Sequence, residues 1–281
     1  MHILFDIGGT KMRVAGSRDC NKFVGEPIVM DTPVDFEDGM TALKESIKKI
    51  SSGENVEVIG GGIAGPFREG VCSLLGSPNL SGWIGHSICD ELTGEFGAPV
   101  YIENDSAVVG LGEMHNGAGE TDGIGAYITV STGMGGARFI DGRIDNKVVG
   151  FEPGHQIIDA DKTLIPEADG IFLQNLISGR ATEKRMGMKP YDIKDDAFWD
   201  NYAKLLAYGL NNTIVHWSPD VVVLGGSMIV GDPAIPVDKT EKYLREILKI
   251  FPKLPEIKKA TLGELGGLYG AMVLINQHLD I

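Results

Sequence analysis

The chain has 281 residues, 43% of them hydrophobic, and its 39 acidic and 25 basic side chains give a formal net charge of −14. This length favours two lobes over one enlarged core, with a ligand site in the cleft between them. The acidic surface disfavours nucleic-acid and membrane partners, and because neither a spanning stretch nor a secretion signal is recognisable, we expect a cytoplasmic protein.

Cysteine and glycine usage adds two constraints. Cys20, Cys72 and Cys89 are widely spaced and match neither a disulfide framework nor a paired zinc or redox motif, so we expect free thiols. The 39 glycines are about twice the usual share of roughly 7%. Many of them follow short apolar runs, which indicates turns that bring the backbone close to a ligand.

The N-terminal half alternates strands and helices. An apolar run at Ile3–Ile7 predicts a strand, and Lys11–Val14 alternates with period two after a turn. Helical spacing of apolar residues predicts a helix over Asp38–Ile50, before a strand at Val56–Ile59. The next predicted elements are a helix over Ser87–Phe96, a strand over Val100–Ile102 and a helix over Ser106–Met114.

The second half repeats this opening. Ile124–Val130 and Ala137–Ile140 predict a hairpin whose turn spans Gly133–Gly136, with a further turn at Asp141-Gly142. The remaining predicted elements are helices over Phe172–Met186, Phe198–Trp217, Thr240–Phe251 and Leu265–Leu279, and a strand over Val221–Leu224. We place an N-terminal lobe at residues 1–113 and a C-terminal lobe at 114–281. The terminal helix, residues 265–281, is a candidate to pack back on the N-terminal lobe.

The first glycine-rich turn has the features of an anion-binding loop. Backbone N–H groups of a turn between two strands can converge on a phosphate, and a threonine hydroxyl adds a donor. The residues that we assign to phosphate binding here are Gly8, Gly9, Thr10 and Lys11. Asp6 would face Mg²⁺ directly or through water. The alternative is an ordinary tight hairpin with a capping aspartate.

Two later glycine turns repeat the pattern. In the turn after Val130, the residues assigned to phosphate binding are Thr132, Gly133, Gly135 and Gly136. A plain glycine-rich hairpin is the alternative, but two such loops together favour a polyphosphate ligand. Gly225 and Gly226 would leave room for the nucleoside end of that ligand, unless they form a simple strand-to-helix connection.

Glu103, Asn104 and Asp105 stand where a predicted strand meets a predicted helix. Open sheets place ligands at such strand ends. Asp105 can accept the proton of a hydroxyl that attacks a γ-phosphate, and the helix N-terminus would keep its carboxylate ionised. Asn104 can bond a neighbouring hydroxyl. A simple N-cap role for Asn104 or Asp105 is the alternative from this segment alone.

The order of these motifs resembles the ROK family of sugar kinases (repressor, open reading frame, kinase), within the actin and hexokinase-like ATPase superfamily, over essentially the whole chain. The matching segments are Asp6–Lys11, Gly65-Pro66, Ser77–Leu80 with Trp83, Glu103–Ala107 with Gly112-Glu113, Thr132–Gly136, Glu152–His155, Pro219–Ser227, and Leu262-Gly263 with Gly270-Ala271. The resemblance implies an α/β fold with two actin-like or hexokinase-like (ribonuclease H-like) lobes and an active-site cleft between them.

The resemblance also implies an enzyme that uses ATP and Mg²⁺ to phosphorylate a hexose such as glucose, usually at C6. It makes Asp105 the catalytic base. The sugar contacts that it implies are Gly65, Asn79, Asn104, Glu152 and His155. A homodimer is the habit of the family.

Two departures from the family pattern matter. The family commonly carries a cysteine-rich segment after Gly-His that binds structural zinc, but residues 156–173 contain no cysteine, so we expect no zinc site. Gln174 stands where family kinases carry a sugar-binding Glu, unless a local gap places Glu167 there. A neutral amide both donates and accepts, so hydroxyl recognition survives with an altered preference.

Other functions are consistent with the same fold. A catalytically silent sugar-binding sensor or scaffold would keep it, and the substrate can instead be an N-acetylhexosamine or fructose. An actin-like or chaperone-like ATPase would not need Glu152–His155. The family's repressors add a helix-turn-helix, whereas the first phosphate strand begins here at Ile3, so we expect no DNA-binding domain. Retention of Asp6, Asp105 and both glycine loops favours the kinase.

Overall fold

A computed structural model of the chain describes residues 1–68, 72–77 and 80–279. The chain forms two compact units. Unit 1 contains Met1–Asn116, Asn146–Gly150 and the segment that begins at Glu264, and unit 2 contains Gly117–Asp145 and Phe151–Gly263. Within the described ranges, no helix combines the length and the hydropathy needed to cross a membrane.

Unit 1 contains a five-stranded mixed sheet, in the order β3-β2-β1-β4-β7. Its strands are β1 (His2–Ile7), β2 (Lys11–Ser17), β3 (Phe23–Asp31), β4 (Val58–Ile63) and β7 (Val100–Asn104), and a separate small hairpin joins β5 (Phe67–Arg68) to β6 (Ser73–Leu74). The first three strands are antiparallel, whereas β1, β4 and β7 run parallel. The parallel strands therefore end at the same edge as the turn between β1 and β2.

Helices α1 (Phe36–Ser51), α2 (Ile88–Phe96), α3 (Asp105–Asn116) and α9 (Gly266–Leu279) complete unit 1. Helix α1 begins where the Asp35 carboxylate accepts hydrogen bonds from the first free N–H groups, an N-cap that satisfies donors the helix cannot. Its buried residues Met40, Leu43 and Ile47 recur at helical spacing and join the apolar core of the sheet.

Helices α3 and α9 cross with their backbones in contact. A Cβ atom on Gly112 of α3 would lie 2.5 Å from the carbonyl oxygen of Gly266, and one on Gly270 of α9 would lie 1.7 Å from the carbonyl oxygen of Val108. No side chain fits at either position, so glycine is required for this approach. The crossing holds the first turn of α3, which carries Asp105, against the rest of unit 1.

Unit 2 repeats the sheet topology of unit 1 in the order β10-β9-β8-β11-β12. Its strands are β8 (Ile124–Val130), β9 (Met134–Ile140), β10 (Arg143–Ile144), β11 (Val221–Gly225) and β12 (Glu256–Lys259). Its helices are α4 (Leu173–Ile177), α5 (Gly179–Met186), α6 (Asp196–Trp217), α7 (Ser227–Val230) and α8 (Val237–Ile247). Helix α6 supplies much of the core, with Trp199, Leu206 and Leu210 buried.

Two of the predicted elements differ in detail. The helix predicted over Phe172–Met186 is interrupted at Ser178, whose extended backbone (φ −71°, ψ 157°) ends α4 and whose hydroxyl caps α5. The turn predicted over Gly133–Gly136 is shorter, because β9 already begins at Met134. Gly136 is therefore a strand residue, and a Cβ atom there would lie 2.9 Å from Pro153.

The expectation of three free thiols is wrong for two of them. Cys72 and Cys89 form a disulfide, with their Cα atoms 5.8 Å apart, which joins the segment before β6 to the first turn of α2. The fold brings together two positions that are separated by 17 residues in sequence, so spacing alone could not reveal the pairing. Cys20 is free and buried.

The glycine crossing gives a first prediction. Gly270→Ala should lower the free energy of unfolding by about 3 kcal/mol or more, because the new methyl group overlaps a backbone carbonyl that cannot move away without shifting α3. Gly94 is the matched control, since it is also helical but has open space around its Cβ position. Gly94→Ala should stabilise by about 0.5–1 kcal/mol. Thermal unfolding of both variants tests this, and equal effects would contradict it.

Candidate active site

The turn between β1 and β2 is tightly held by its own backbone. The Gly8 N–H donates to the Lys11 carbonyl at 2.9 Å, and the Thr32 hydroxyl donates to the Gly8 carbonyl at 2.8 Å. The predicted phosphate ligands Gly8, Gly9 and Thr10 therefore lie together in one turn. Thr10 is exposed, and the Lys11 ammonium is paired with Asp31 at 2.7 Å on the surface.

Asp6 is buried immediately before this turn. Burial and the negative charge of Asp105 raise the pKa of the Asp6 carboxyl from 3.8 to about 7, and the Arg13 guanidinium only partly offsets them. Arg13 lies opposite Asp6 in the β1–β2 register, with its Nη1 3.7 Å from an Asp6 carboxylate oxygen and its Nη2 3.2 Å from Glu264. A Cβ atom on Gly267 would lie 2.5 Å from the Asp6 carboxyl carbon, so α9 begins against this side chain.

Asp105 is the first residue of α3 and lies in the same unit as Asp6. Burial raises the pKa of the Asp105 carboxyl, although hydrogen bonds from the Ser106 N–H and hydroxyl oppose the rise. The helix N-terminus was expected to keep Asp105 ionised, but the cost of burying the charge is larger. The result is a carboxyl group whose affinity for a proton is higher than usual, as a general base requires.

Asn104 fixes the turn from β7 into α3. Its Oδ1 accepts the Ala107 N–H at 3.2 Å, which is the N-cap role considered from the sequence, and its Nδ2 donates to the Gly65 carbonyl at 3.0 Å. The structure thus brings the predicted sugar contacts Gly65 and Asn104 into direct contact. Asn79, the other predicted sugar contact of this unit, lies outside the described residues.

The turn between β8 and β9 is the counterpart in unit 2. The Ser131 N–H donates to the Gly133 carbonyl at 2.8 Å, and the first turn of α5 binds the other side of the loop. There, the Gly179 N–H donates to the Ser131 carbonyl at 2.7 Å and the Arg180 N–H donates to the Thr132 carbonyl at 3.1 Å. Helix α5 therefore orients the loop that carries Thr132 and Gly133.

The predicted sugar residues of unit 2 lie beside this loop. A short 3-10 turn, Pro153–His155, packs on β9, where a Cβ atom on Gly154 would lie 2.6 Å from the Met134 carbonyl oxygen. The Gln174 amide nitrogen is 2.9 Å from His155 Nε2, and the Gln174 amide oxygen is 3.9 Å from the Cβ position of Gly133. His155, Gln174 and Gly133 are thus neighbours, and Glu152 is exposed at the start of the turn.

Gly225 and Gly226 are closely surrounded by protein. A Cβ atom on Gly225 would lie 2.4 Å from the Tyr127 hydroxyl, and one on Gly226 would lie 2.3 Å from the Val130 carbonyl oxygen. Gly226 also has a left-handed backbone (φ 87°) at the start of α7. Packing therefore accounts for both glycines, and their role toward a nucleoside stays a prediction.

The loop after His155, where the family commonly has zinc ligands, is organised by a carboxylate. Buried Asp159 accepts hydrogen bonds from the backbone N–H groups of Thr163, Leu164 and Ile165 at 2.7–3.1 Å. Burial by itself would raise the pKa of the Asp159 carboxyl, but these donors outweigh it and the pKa is lowered. Among the residues that the structure describes, no group of three or more His, Cys, Asp or Glu side chains is arranged to hold a metal ion.

Sequence reasoning missed two candidate residues, Arg13 and Lys147, and the pairing of Glu103 with Lys147. Arg13 could have been found from the β1–β2 hairpin register, which places it across from Asp6. Glu103 and Lys147 form a largely buried ion pair beside Asn104, but no local pattern links positions so far apart in sequence.

Comparison with known proteins identifies the family and the fold of the chain. The chain belongs to the ROK family, whose model matches residues 3–278. It is 25% identical to a glucokinase from Thermotoga maritima (98% of this chain and 96% of the relative) and 27% identical to an N-acetyl-D-glucosamine kinase from Pectobacterium carotovorum (98% of each). The crystal structure of a ROK hexokinase from Thermus thermophilus matches with a TM-score of 0.80 at 26% identity, covering 99% of this chain and 98% of that one. The chain has the α/β actin-like hexokinase fold of these proteins.

The raised pKa of Asp6 predicts how stability depends on pH. Because its pKa is about 7 in the folded protein and 3.8 as a free side chain, its contribution to stability is fully present below 3.8 and is lost as the pH rises toward 7. Asp6→Asn should therefore raise the melting temperature of the ligand-free protein at about pH 8, with a gain that shrinks as the pH falls. Melting curves across pH test this; a constant difference would contradict it.

The Asp159 loop gives a second prediction for this region. Asp159→Asn should lower the free energy of unfolding by about 1–3 kcal/mol, because a neutral amide with one acceptor oxygen replaces a charged acceptor of three N–H groups. Asp161→Asn, at an exposed position of the same loop, is the matched control and should change little. Chemical denaturation of the two variants distinguishes them, and a zinc chelator should leave the wild-type melting temperature unchanged.

Proposed function

We propose that this protein is an ATP-dependent sugar kinase that transfers the γ-phosphate of ATP to a hydroxyl of a hexose, at C6. The observation that carries the proposal is the pair of carboxyls at the ends of β1 and β7, buried Asp6 and partly buried Asp105, whose pKa values are both raised. Family membership and full-length relatives that are named as sugar kinases support it.

In this proposal, Asp105 accepts the proton of the attacking sugar hydroxyl. A carboxyl with a raised pKa holds that proton better than an ordinary aspartate does. Phosphoryl transfer proceeds through a loose transition state, so the main task of Asp105 is to orient the hydroxyl. Asn104, fixed by Ala107 and Gly65, is the neighbouring hydroxyl-binding group.

Asp6 fits a site for Mg²⁺, which would supply positive charge to the phosphates. Mg²⁺ is commonly bound through one or two carboxylates together with substrate phosphates rather than by an all-protein cage. The Asp6 carboxylate is repelled by Asp105 and only partly balanced by Arg13, so it favours a further cation. The two glycine turns, with Thr10 and Thr132, are the proposed phosphate-binding loops.

The sugar end of unit 2 would be formed by Glu152, His155 and Gln174. The Gln174 amide contacts His155, and it brings N–H donors that a glutamate would lack. An amide donor suits a carbonyl oxygen as well as a hydroxyl, so N-acetylhexosamines belong in the substrate panel beside glucose, mannose and fructose.

The test is coupled ADP release with Mg-ATP across that panel, with a no-sugar control. Stimulation by one or two sugars supports the kinase and names its substrate. Sugar-independent ATP hydrolysis would contradict the proposal. So would a protein whose melting temperature shifts with sugar but which turns over none of the panel, an outcome that favours a catalytically silent sugar-binding protein.

Asp105→Asn should lower kcat by roughly 10²–10⁴-fold with a small change in sugar KM, because it removes the proton acceptor but keeps the side-chain shape. Its melting temperature should not fall, since the variant no longer buries a charge. Asp90→Asn, in the first turn of α2 and exposed, is the matched control and should leave kcat unchanged. Turnover of Asp105→Asn within a few-fold of wild type would exclude the base role.

A further inference from the structure

Lys147 lies on a segment of unit 1 that is remote in sequence from the rest of that unit. Asn146–Gly150 follows the β9–β10 hairpin of unit 2, yet it belongs to unit 1. Its Lys147 ammonium is 2.6 Å from Glu103 Oε1, and the two side chains are only 16% and 14% exposed. The neighbouring Val148 is 95% exposed, so Lys147 is buried by its own contacts and not because the whole segment is buried.

The second carboxylate oxygen of Glu103 binds the backbone of Asn104, the residue before the proposed base Asp105. Glu103 Oε2 accepts the backbone N–H of Asn104 at 3.0 Å while Oε1 accepts the Lys147 ammonium. The carboxylate is thus held at both oxygens, and the lysine controls its orientation. Without that cation, a buried carboxylate would rotate or draw in water, because an unpaired buried charge is costly.

We infer that Lys147 is a positioning residue for the phosphotransfer site: its ion pair orients Glu103, which in turn fixes the β7–α3 turn that carries Asn104 and Asp105. The inference rests on the proposed function for its catalytic consequence. Its structural part does not depend on the substrate: Lys147, 43 positions after Asn104, holds the Glu103 carboxylate that accepts the Asn104 N–H.

The ion pair between Lys44 and Glu91 provides a matched control. It joins α1 to α2 in the same unit at 2.5 Å, and its lysine is similarly buried at 21% exposure. It has no contact with the β7–α3 turn among the hydrogen bonds of the described residues. Lys44→Met therefore reports what losing a partly buried ion pair does to unit 1 in general.

The first test is catalytic. Lys147→Met should lower kcat by about 10- to 100-fold with the KM for ATP unchanged, because a misplaced base slows the chemical step without altering the phosphate loops. Lys147→Arg should recover most of the loss. Glu103→Gln combined with Lys147→Met should be no worse than the poorer single variant, because both act through one pair. Lys44→Met should stay within about twofold of wild type.

The second test needs no substrate. Amide hydrogen exchange of the ligand-free protein should be about tenfold faster in Lys147→Met for the peptide that contains Asn104, and unchanged there in Lys44→Met. Unchanged exchange, or wild-type kcat in Lys147→Met, would overturn the inference. If the wild-type protein phosphorylates no sugar, the proposed function fails, but the exchange experiment still decides whether Lys147 positions this turn.

Discussion

The contact between the backbones of α3 and α9 is the constraint on which the unit 1 site depends. Gly112 and Gly270 let the helices approach until no Cβ atom fits between them. Asp105 begins one helix, and Gly267 places the start of the other against Asp6. The helix contact therefore helps to fix the surroundings of the two carboxyls, whose charges interact. At Gly112 and Gly270, glycine is therefore required by helix packing and not by contact with a ligand.

That proximity leaves the site electrostatically unbalanced. Asp6 is buried and Asp105 is partly buried, and Arg13 is the cation that lowers the pKa of Asp6 without restoring its usual value. Holding both groups ionised therefore costs folded stability at neutral pH. Binding a cation at Asp6 would reverse that cost, so ligand affinity and stability are linked through the same carboxyl. Proteins commonly tolerate such local destabilisation at a site because the rest of the fold is well packed.

Much of the fold could be predicted from local periodicity, because buried strands and amphipathic helices leave a pattern in the sequence. The β1–β2 and β8–β9 hairpins were predicted on this basis, as were α1 and α6. Strands β3 and β12 were not predicted. Phe23–Asp31 includes a glycine and a proline and has no fully buried residue at its sheet edge, and Glu256–Lys259 is short and polar. Such edge strands are defined by hydrogen bonds to a neighbour, which no single segment encodes.

The candidate site shows the same limit more sharply. Asp105 was proposed from its place at a strand end, but the direction of its pKa shift was not predicted, since the helix N-terminus is a local feature and burial is not. The desolvation of Asp105 arises from everything that packs around the first turn of α3, including a helix more than 150 residues later in the chain. Lys147 and Glu103 are a further example, because their pairing exists only once the chain has returned to unit 1. Sequence motifs thus identify which residues can carry the chemistry, whereas their protonation and orientation are properties of the packed unit.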